Sequence, residues 1–363
     1  MRLAITTGGG DAPGLNAVIR AVVVTALGRG WKCFGIRDGY LGLLTPDPYD
    51  GQGLIPLGRQ EVRGITFLGG TILGTTNKGD PFNFPSHNAL GELEEVDRSD
   101  DLVDAFTSHQ LDALIAVGGD GSMIIAHQLA QKGLRVIGVP KTIDNDLEQT
   151  VVTFGFNTAV TVATECIDRL HTTAEAHDRV MVVEVMGRYA GWIALHAGLA
   201  STADAILIPE IPYDLQTVAD KIHQREERGR DFSLVVVAEG AAAKGGERSV
   251  LEKEVGKLER LGGIGRKIAD ELAELTGKDT RSVSLSYLLR GGTPSPTDRV
   301  LALRFGGAAV RALAEGYSDI MVALDPPEVR YVPLESTVRR LKAVPLDGDT
   351  IETARGLGIC LGD

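Results

Sequence analysis

Short apolar runs rich in β-branched residues recur along the chain, and most are followed by a helix-length segment rather than by a second strand. Leu3–Thr7, Leu111–Val117, Arg135–Val139, Val180–Val185, Ala205–Ile208, Leu234–Ala238 and Arg281–Leu285 read as strands. Continuous apolar strands belong to mostly parallel sheets covered by helices, so the fold class is α/β. Helical periods over Leu15–Leu27, Ile124–Gln131 and Val300–Ala314 fit that plan. At 363 residues the chain is too long for one small domain, and two α/β lobes are expected. Asp80–Asp101 reads as a loop plus an exposed helix, Gly240–Gly246 as a small-residue loop and Asp325-Pro326-Pro327 as a bend.

The turns that close these strands are unusual: GGGDAPG, GGDGS, PKTIDND, MGR, PE and EG. Ligands of open α/β sheets bind beyond the carboxyl ends of strands, so polar motifs placed there converge on a cleft. The 45 glycines suit turns in which backbone must approach a ligand closely. A net charge of −12 argues against nucleic acid as a partner, while local Arg and Lys clusters still permit an anionic substrate. Cys33, Cys166 and Cys360 form no metal or CxxC pattern and are expected to be reduced. No apolar run is long enough to span a membrane and no signal peptide precedes the first strand, so a cytoplasmic protein is expected.

Three segments carry phosphate chemistry. Gly8-Gly9-Gly10-Asp11-Ala12-Pro13-Gly14 joins a strand to a helix and turns backbone N–H groups towards an anion, yet it is neither a Walker A loop nor a GxGxxG fingerprint. In Gly118-Gly119-Asp120-Gly121-Ser122 the acid suits a metal, and the amides and Ser122 hydroxyl suit phosphate oxygens; Asp as a plain helix N-cap is the alternative. In Pro140-Lys141-Thr142-Ile143-Asp144-Asn145-Asp146 an extended backbone would set Asp144 and Asp146 on one side, as a general base and a partner near magnesium. An Asx-rich turn is the alternative there. Arg179, Arg188, Arg281 and Arg290 supply guanidinium groups able to grip phosphate.

With those residues in place, the chain resembles the phosphofructokinase family along nearly its whole length. GGGDAPGLNAVIR, DGYLGL, GGTILG, GGDGS, PKTIDND, VVEVMGRYAGW and RGGTPSPTDR stand in the family's order. The resemblance implies two Rossmann-like three-layer α/β/α lobes with the active site in the cleft between them. Residues 1–155 plus 289–338 would form the larger, donor-binding lobe, and 156–288 plus 339–363 the smaller, sugar-binding lobe. It implies phosphorylation of the 1-hydroxyl of fructose 6-phosphate, with Mg2+ as counter-ion. Gly10, Tyr40, Gly121, Ser122 and Lys141 would bind the donor, and Asp120 the metal. Asp144 would be the base, supported by Thr142 and Asp146. Thr142, Asp144, Met186, Gly187, Arg188, Glu239, Tyr287 and Arg290 would meet the sugar phosphate, Arg188 also serving catalysis. Arg179 and Arg281 would reach a neighbouring subunit's site, in a homotetramer or homodimer.

The chain departs from the family pattern at several positions. Thr75-Thr76-Asn77 stands where bacterial ATP-dependent members carry an Arg that bridges donor and acceptor, with Lys78 next to it. Tyr287 replaces a sugar-site His. Of the basic residues at the bacterial effector site, Arg20 is present, but Val24 and His171 stand in place of Arg. Two positions speak to the donor. Gly121, typically Asp in pyrophosphate users, leaves room for a nucleotide α-phosphate. Lys141 matches pyrophosphate users, and also some ATP-dependent members that pair it with Gly. ATP is the favoured donor, pyrophosphate the alternative, and a catalytically dead sugar-phosphate sensor a more distant one.

Overall fold

The computed structural model describes residues 1–88, 91–246, 248–252 and 260–363. They form two units. The first comprises Met1–Thr142, Leu147–Gly155 and Gly291–Leu341, the second Ile143–Asp146, Phe156–Arg290 and Lys342–Asp363.

The first unit is built on an eight-stranded sheet. Across it the strands run Glu328–Pro333, Ile320–Asp325, Val136–Thr142, Ala113–Gly118, Arg2–Thr7, Lys32–Ile36 and Leu54–Leu57, with short Phe154–Gly155 beside Val136–Thr142. Only the two outermost pairings are antiparallel. The side-chain alternation of a strand then builds two cores. Leu3 and Ile5 pack with Leu15, Ile19 and Phe305, while Ala4 packs with Leu102, Leu114 and Met123 on the opposite face. Helices Leu15–Leu27 and Pro296–Ala314 cross closely, because Gly306 has no Cβ; one placed there would lie 2.7 Å from Ala21 Cβ.

Two local readings change. Asp80–Asp101 contains an antiparallel pair, Phe84–His87 with Leu93–Val96, before the helix Ser99–Ser108 begins. Helices start earlier than their apolar period, at Asp120 rather than Ile124 and at Pro296 rather than Val300. The second case has a clear cause: Ser295 caps the helix by accepting from Asp298 N, and Pro296 occupies the first turn, where its missing N–H costs nothing.

The second unit holds four parallel strands in the order Ala205–Leu207, Ser233–Ala238, Val180–Val185 and Thr280–Ser284. One face packs Val182, Val235 and Val237 against Val218, Ile268 and Leu272 of the helices Leu215–Glu227 and Ile264–Thr276. Helices Phe156–Ala176 and Trp192–Ala200 also pack against this sheet. No helix among the described residues is long and apolar enough to cross a membrane.

Candidate active site

In the first unit three neighbouring parallel strands end in register, Thr7 beside Val117 and Gly118 beside Pro140. The two glycine turns that follow Thr7 and Val117 are therefore side by side. Gly8 N donates to Val117 O at 3.0 Å. Lys141 is only 3% exposed, and its Nζ donates to Gly8 O at 2.9 Å and to the carbonyl of Gly10. A buried ammonium must be hydrogen-bonded. Here the glycine loop supplies the acceptors and is pinned in return. Ser122 fits against this loop because Gly118 and Gly8 lack side chains; a Cβ on Gly118 would lie 2.2 Å from Ser122 Oγ, and one on Gly8 3.0 Å.

The helices after both glycine turns begin at Gly14 and Gly119 with no side-chain cap, so first-turn N–H groups remain for an anion. Gly119 takes the cap position, and Asp120 stands exposed in the first turn. A Cβ on Gly121 would meet nothing within 4 Å. Thr75 Oγ1 donates to Gly9 O at 2.6 Å and Gly9 N to Thr76 O at 3.1 Å, which lays the Thr75–Asn77 segment along the same loop. Lys78 beside it is exposed. Tyr40 packs in the core with Ile36, Leu43 and Phe84, and burial, then the charge of Asp80, pushes its phenol far up. Thr142 ends its strand and accepts Thr153 Oγ1 at 2.7 Å.

Magnesium usually keeps water and phosphate oxygens as most of its ligands and asks one or two carboxylates of the protein. Asp120, exposed beside uncapped amides, fits that donor set. Among the described residues no group of three His, Cys, Asp or Glu side chains gathers into a full protein cage.

The second unit presents the other charged groups. Of the two forms considered for Ile143–Asp146, extended backbone and turn, the structure has a bend, with Asn145 at φ 52°. The two-residue alternation thus does not set the relation of Asp144 to Asp146. Three strands of the sheet end together, with Val185 beside Ala238 and Glu184 beside Ser284. Glu239 N donates to Val185 O at 2.9 Å and Gly240 N to Gly187 O at 3.0 Å. Gly240 has to be glycine, since a Cβ there would lie 2.0 Å from Arg188 O. Burial pushes the Glu239 carboxyl up to about 7; the negative charges of Asp144 and Glu184 add to this, while Arg188 and Arg290 oppose it. Asp144, two arginines and this carboxyl therefore share one electrostatic environment. Met186 and Gly187 adjoin it in sequence, and Tyr287 is exposed on the Ser286–Leu289 turn just before Arg290.

Glu184 stands in the VVEVMGRYAGW motif but carries none of the site roles expected from the sequence. Its Oε2 accepts from Gly265 N at 2.8 Å, its Oε1 from Ser284 Oγ at 3.0 Å, and its carbonyl from Leu285 N at 2.9 Å. It fixes the strand end from which the Tyr287–Arg290 turn departs. A carboxylate inside the otherwise apolar run Val180–Val185 was the available signal.

Arg179 and Arg281 are not brought to this group. Arg179 precedes the strand Val180–Val185 and Arg281 is the second residue of Thr280–Ser284, so both lie at the amino ends of their strands. Both hold Asp279, Arg179 Nε at 2.6 Å. Six residues of strand place Arg179 about 20 Å from the carboxyl end of its strand, and three place Arg281 about 10 Å from the end of its own.

The chain matches the phosphofructokinase family model over residues 2–313. It is 51% identical over 362 residues to the ATP-dependent 6-phosphofructokinase of Chloroflexus aggregans, covering 100% of this chain and 98% of that one. It is 47% identical over 351 residues to the pyrophosphate–fructose 6-phosphate 1-phosphotransferase of Amycolatopsis mediterranei, covering 96% and 97%. Among solved structures, Pichia pastoris phosphofructokinase in the T-state superposes with TM-score 0.79 at 30% identity; 99% of this chain spans 37% of that longer one. Alike from end to end in sequence and in fold, the chain belongs to the phosphofructokinase family.

Proposed function

We propose that this protein is an ATP-dependent 6-phosphofructokinase, transferring the γ-phosphoryl group of ATP to the 1-hydroxyl of fructose 6-phosphate, in the cytoplasm and as a step of glycolysis. The observation that carries the choice of donor is the open space at Gly121, where no side chain crowds a nucleotide α-phosphate. Lys141, whose ammonium is engaged by the Gly8 and Gly10 carbonyls, acts as a staple of the donor loop rather than as a free pyrophosphate ligand.

The residues divide by unit into donor and acceptor roles. Gly10, Gly121, Ser122 and the uncapped amides hold the donor phosphates. Asp120 holds magnesium, which when bound offsets the negative charge of those phosphates. Met186, Gly187, Arg188, Glu239, Tyr287 and Arg290 hold the sugar phosphate, with Glu239 accepting from sugar hydroxyls when ionised. Asp144 takes the proton of the 1-hydroxyl as the new O–P bond forms and the bond to the β-phosphate oxygen breaks, releasing ADP. Thr142 and Asp146 orient it. The position of Arg179 and Arg281 at the far end of their sheet supports their use by a second copy, in a homodimer or homotetramer.

The test supplies fructose 6-phosphate and magnesium with ATP in one assay and pyrophosphate in another. Turnover with ATP alone is expected. Turnover with pyrophosphate alone would refute the donor assignment, in line with the Amycolatopsis relative, and silence in both would refute the enzyme.

A further inference from the structure

Residues 342–344, near the end of the chain, run as a strap in the second unit. Lys342 N donates to Asp146 O at 2.8 Å and Lys342 Nζ to Asn145 Oδ1 at 2.9 Å. On its other side Trp192 Nε1 donates to Lys342 O at 2.9 Å, and the ammonium lies 5.6 Å from the Trp192 ring centroid. Two residues on, Val344 N donates to Glu210 Oε1 at 2.8 Å. Glu210 in turn accepts from Gly191 N with both oxygens at 3.1 Å, and burial raises its carboxyl. The strap thus joins the bend that carries Asp144 to the turn that carries Met186, Gly187 and Arg188.

Asn145 is the residue whose backbone decides where that bend points. It is 4% exposed at φ 52°, a conformation that costs a non-glycine residue energy and persists only when its surroundings hold it. We propose that Lys342 is a positioning residue for catalysis: its ammonium, held by the Trp192 ring, fixes the Asn145 side chain and through it the left-handed bend that aims Asp144 at the sugar hydroxyl. This rests on the proposed role of Asp144. A base displaced by about 1 Å loses up to about a hundredfold in rate.

The test uses the full chain with Trp31→Phe, which leaves Trp192 as the single tryptophan of the two. Lys342→Met keeps an unbranched apolar side chain beside the ring and removes the donor. It is expected to lower kcat about 10- to 100-fold, with the KM for ATP within about twofold and the melting temperature near that of the parent. Lys342→Arg, which retains charge and donor, should recover most of the rate. Asn145→Gly adopts the same φ without strain and lacks the side chain; it should lose kcat like Lys342→Met, and the double variant should be no worse than either. Full kcat in Lys342→Met or in Asn145→Gly overturns the proposal. So does a Lys342→Arg variant that is as slow and as unstable as Lys342→Met, which would mark a purely structural strap. Trp192 emission should change in Lys342→Met without any substrate, and an unchanged spectrum overturns the contact itself. An inactive parent whose spectrum still responds to Lys342→Met would sink the assigned reaction instead.

Discussion

Replacing Glu239 by Gln tests the electrostatics of the acceptor group directly. Burial, with the charge of Asp144 next, moves the Glu239 carboxyl from 4.5 to about 7. A shift of that size favours the protonated form in the folded chain by about 3 kcal/mol. Because the folded value is the higher one, this stabilisation is complete below pH 4.5 and is lost as pH rises towards 7. Between pH 5.5 and 8.5 about 2 kcal/mol of it disappears. Glutamine imitates the neutral acid and does not titrate. The variant should therefore melt close to wild type at pH 5.5 and at least about 3 °C above it at pH 8.5, as read by differential scanning calorimetry.

Catalysis should show the opposite preference. The ionised carboxylate is the better acceptor for sugar hydroxyls, so the wild-type KM for fructose 6-phosphate should fall as pH rises through 7. The sugar's own phosphate titrates near pH 6, but it does so equally with both proteins. The difference between wild type and Glu239→Gln isolates the side chain. Melting curves that run parallel from pH 5.5 to 8.5 would show that Glu239 is not a buried acid poised near neutrality, and the shared environment of Asp144, Arg188 and Arg290 would lose its main support.

Other perturbations separate chemistry from architecture. Asp144→Ser should lower kcat by about 10² to 10⁴ with an unchanged melting temperature, and a matching loss of folded protein would return the bend to a purely structural role. Gly121→Asp enters open space, so the fold should survive while kcat/KM for ATP falls far more than any pyrophosphate activity; unchanged ATP kinetics would end the steric account of donor choice. Lys141→Met leaves the Gly8 and Gly10 carbonyls without their ammonium, which should cost about 1–3 kcal/mol of stability and raise the KM for the donor. Mixed refolding of Asp144→Ser chains with Arg179→Ser/Arg281→Ser chains should restore activity that neither has alone. Failure to recover any would argue that each site is complete within one chain.

The placing of the glycine turns was legible because it is local. The strand-ending motifs announce themselves by composition, and parallel register alone brings the two glycine turns of the first unit together. Where the reading failed, the decisive force was absent from the local pattern. The pair Phe84–His87 and Leu93–Val96 has little burial alternation to betray it, since Leu93–Val96 is exposed throughout. Asp144 and Asp146 would share a side only on extended backbone, and one left-handed residue, Asn145, prevents that.

Lys141 and Lys342 owe their structural parts to their partners as much as to their residue type. Lys141 lies within the PKTIDND segment and Lys342 bonds to it, and a cation near phosphate motifs reads first as a ligand. The Lys141 ammonium is buried, so desolvation forces it to find acceptors within the fold, and the glycine turn provides two carbonyls. Lys342 lies 197 positions from Asn145, and no periodicity or spacing reports a bond over that separation. A glycine turn is encoded where it stands; the bonds that hold a bend such as Ile143–Asp146 in one conformation are encoded wherever the chain happens to return. Charge-conserving and charge-removing variants at both lysines should therefore divide differently. At Lys141, Arg brings a planar fork too large for the glycine cradle and should fare little better than Met. At Lys342, half-buried beside an aromatic ring, Arg should substitute well.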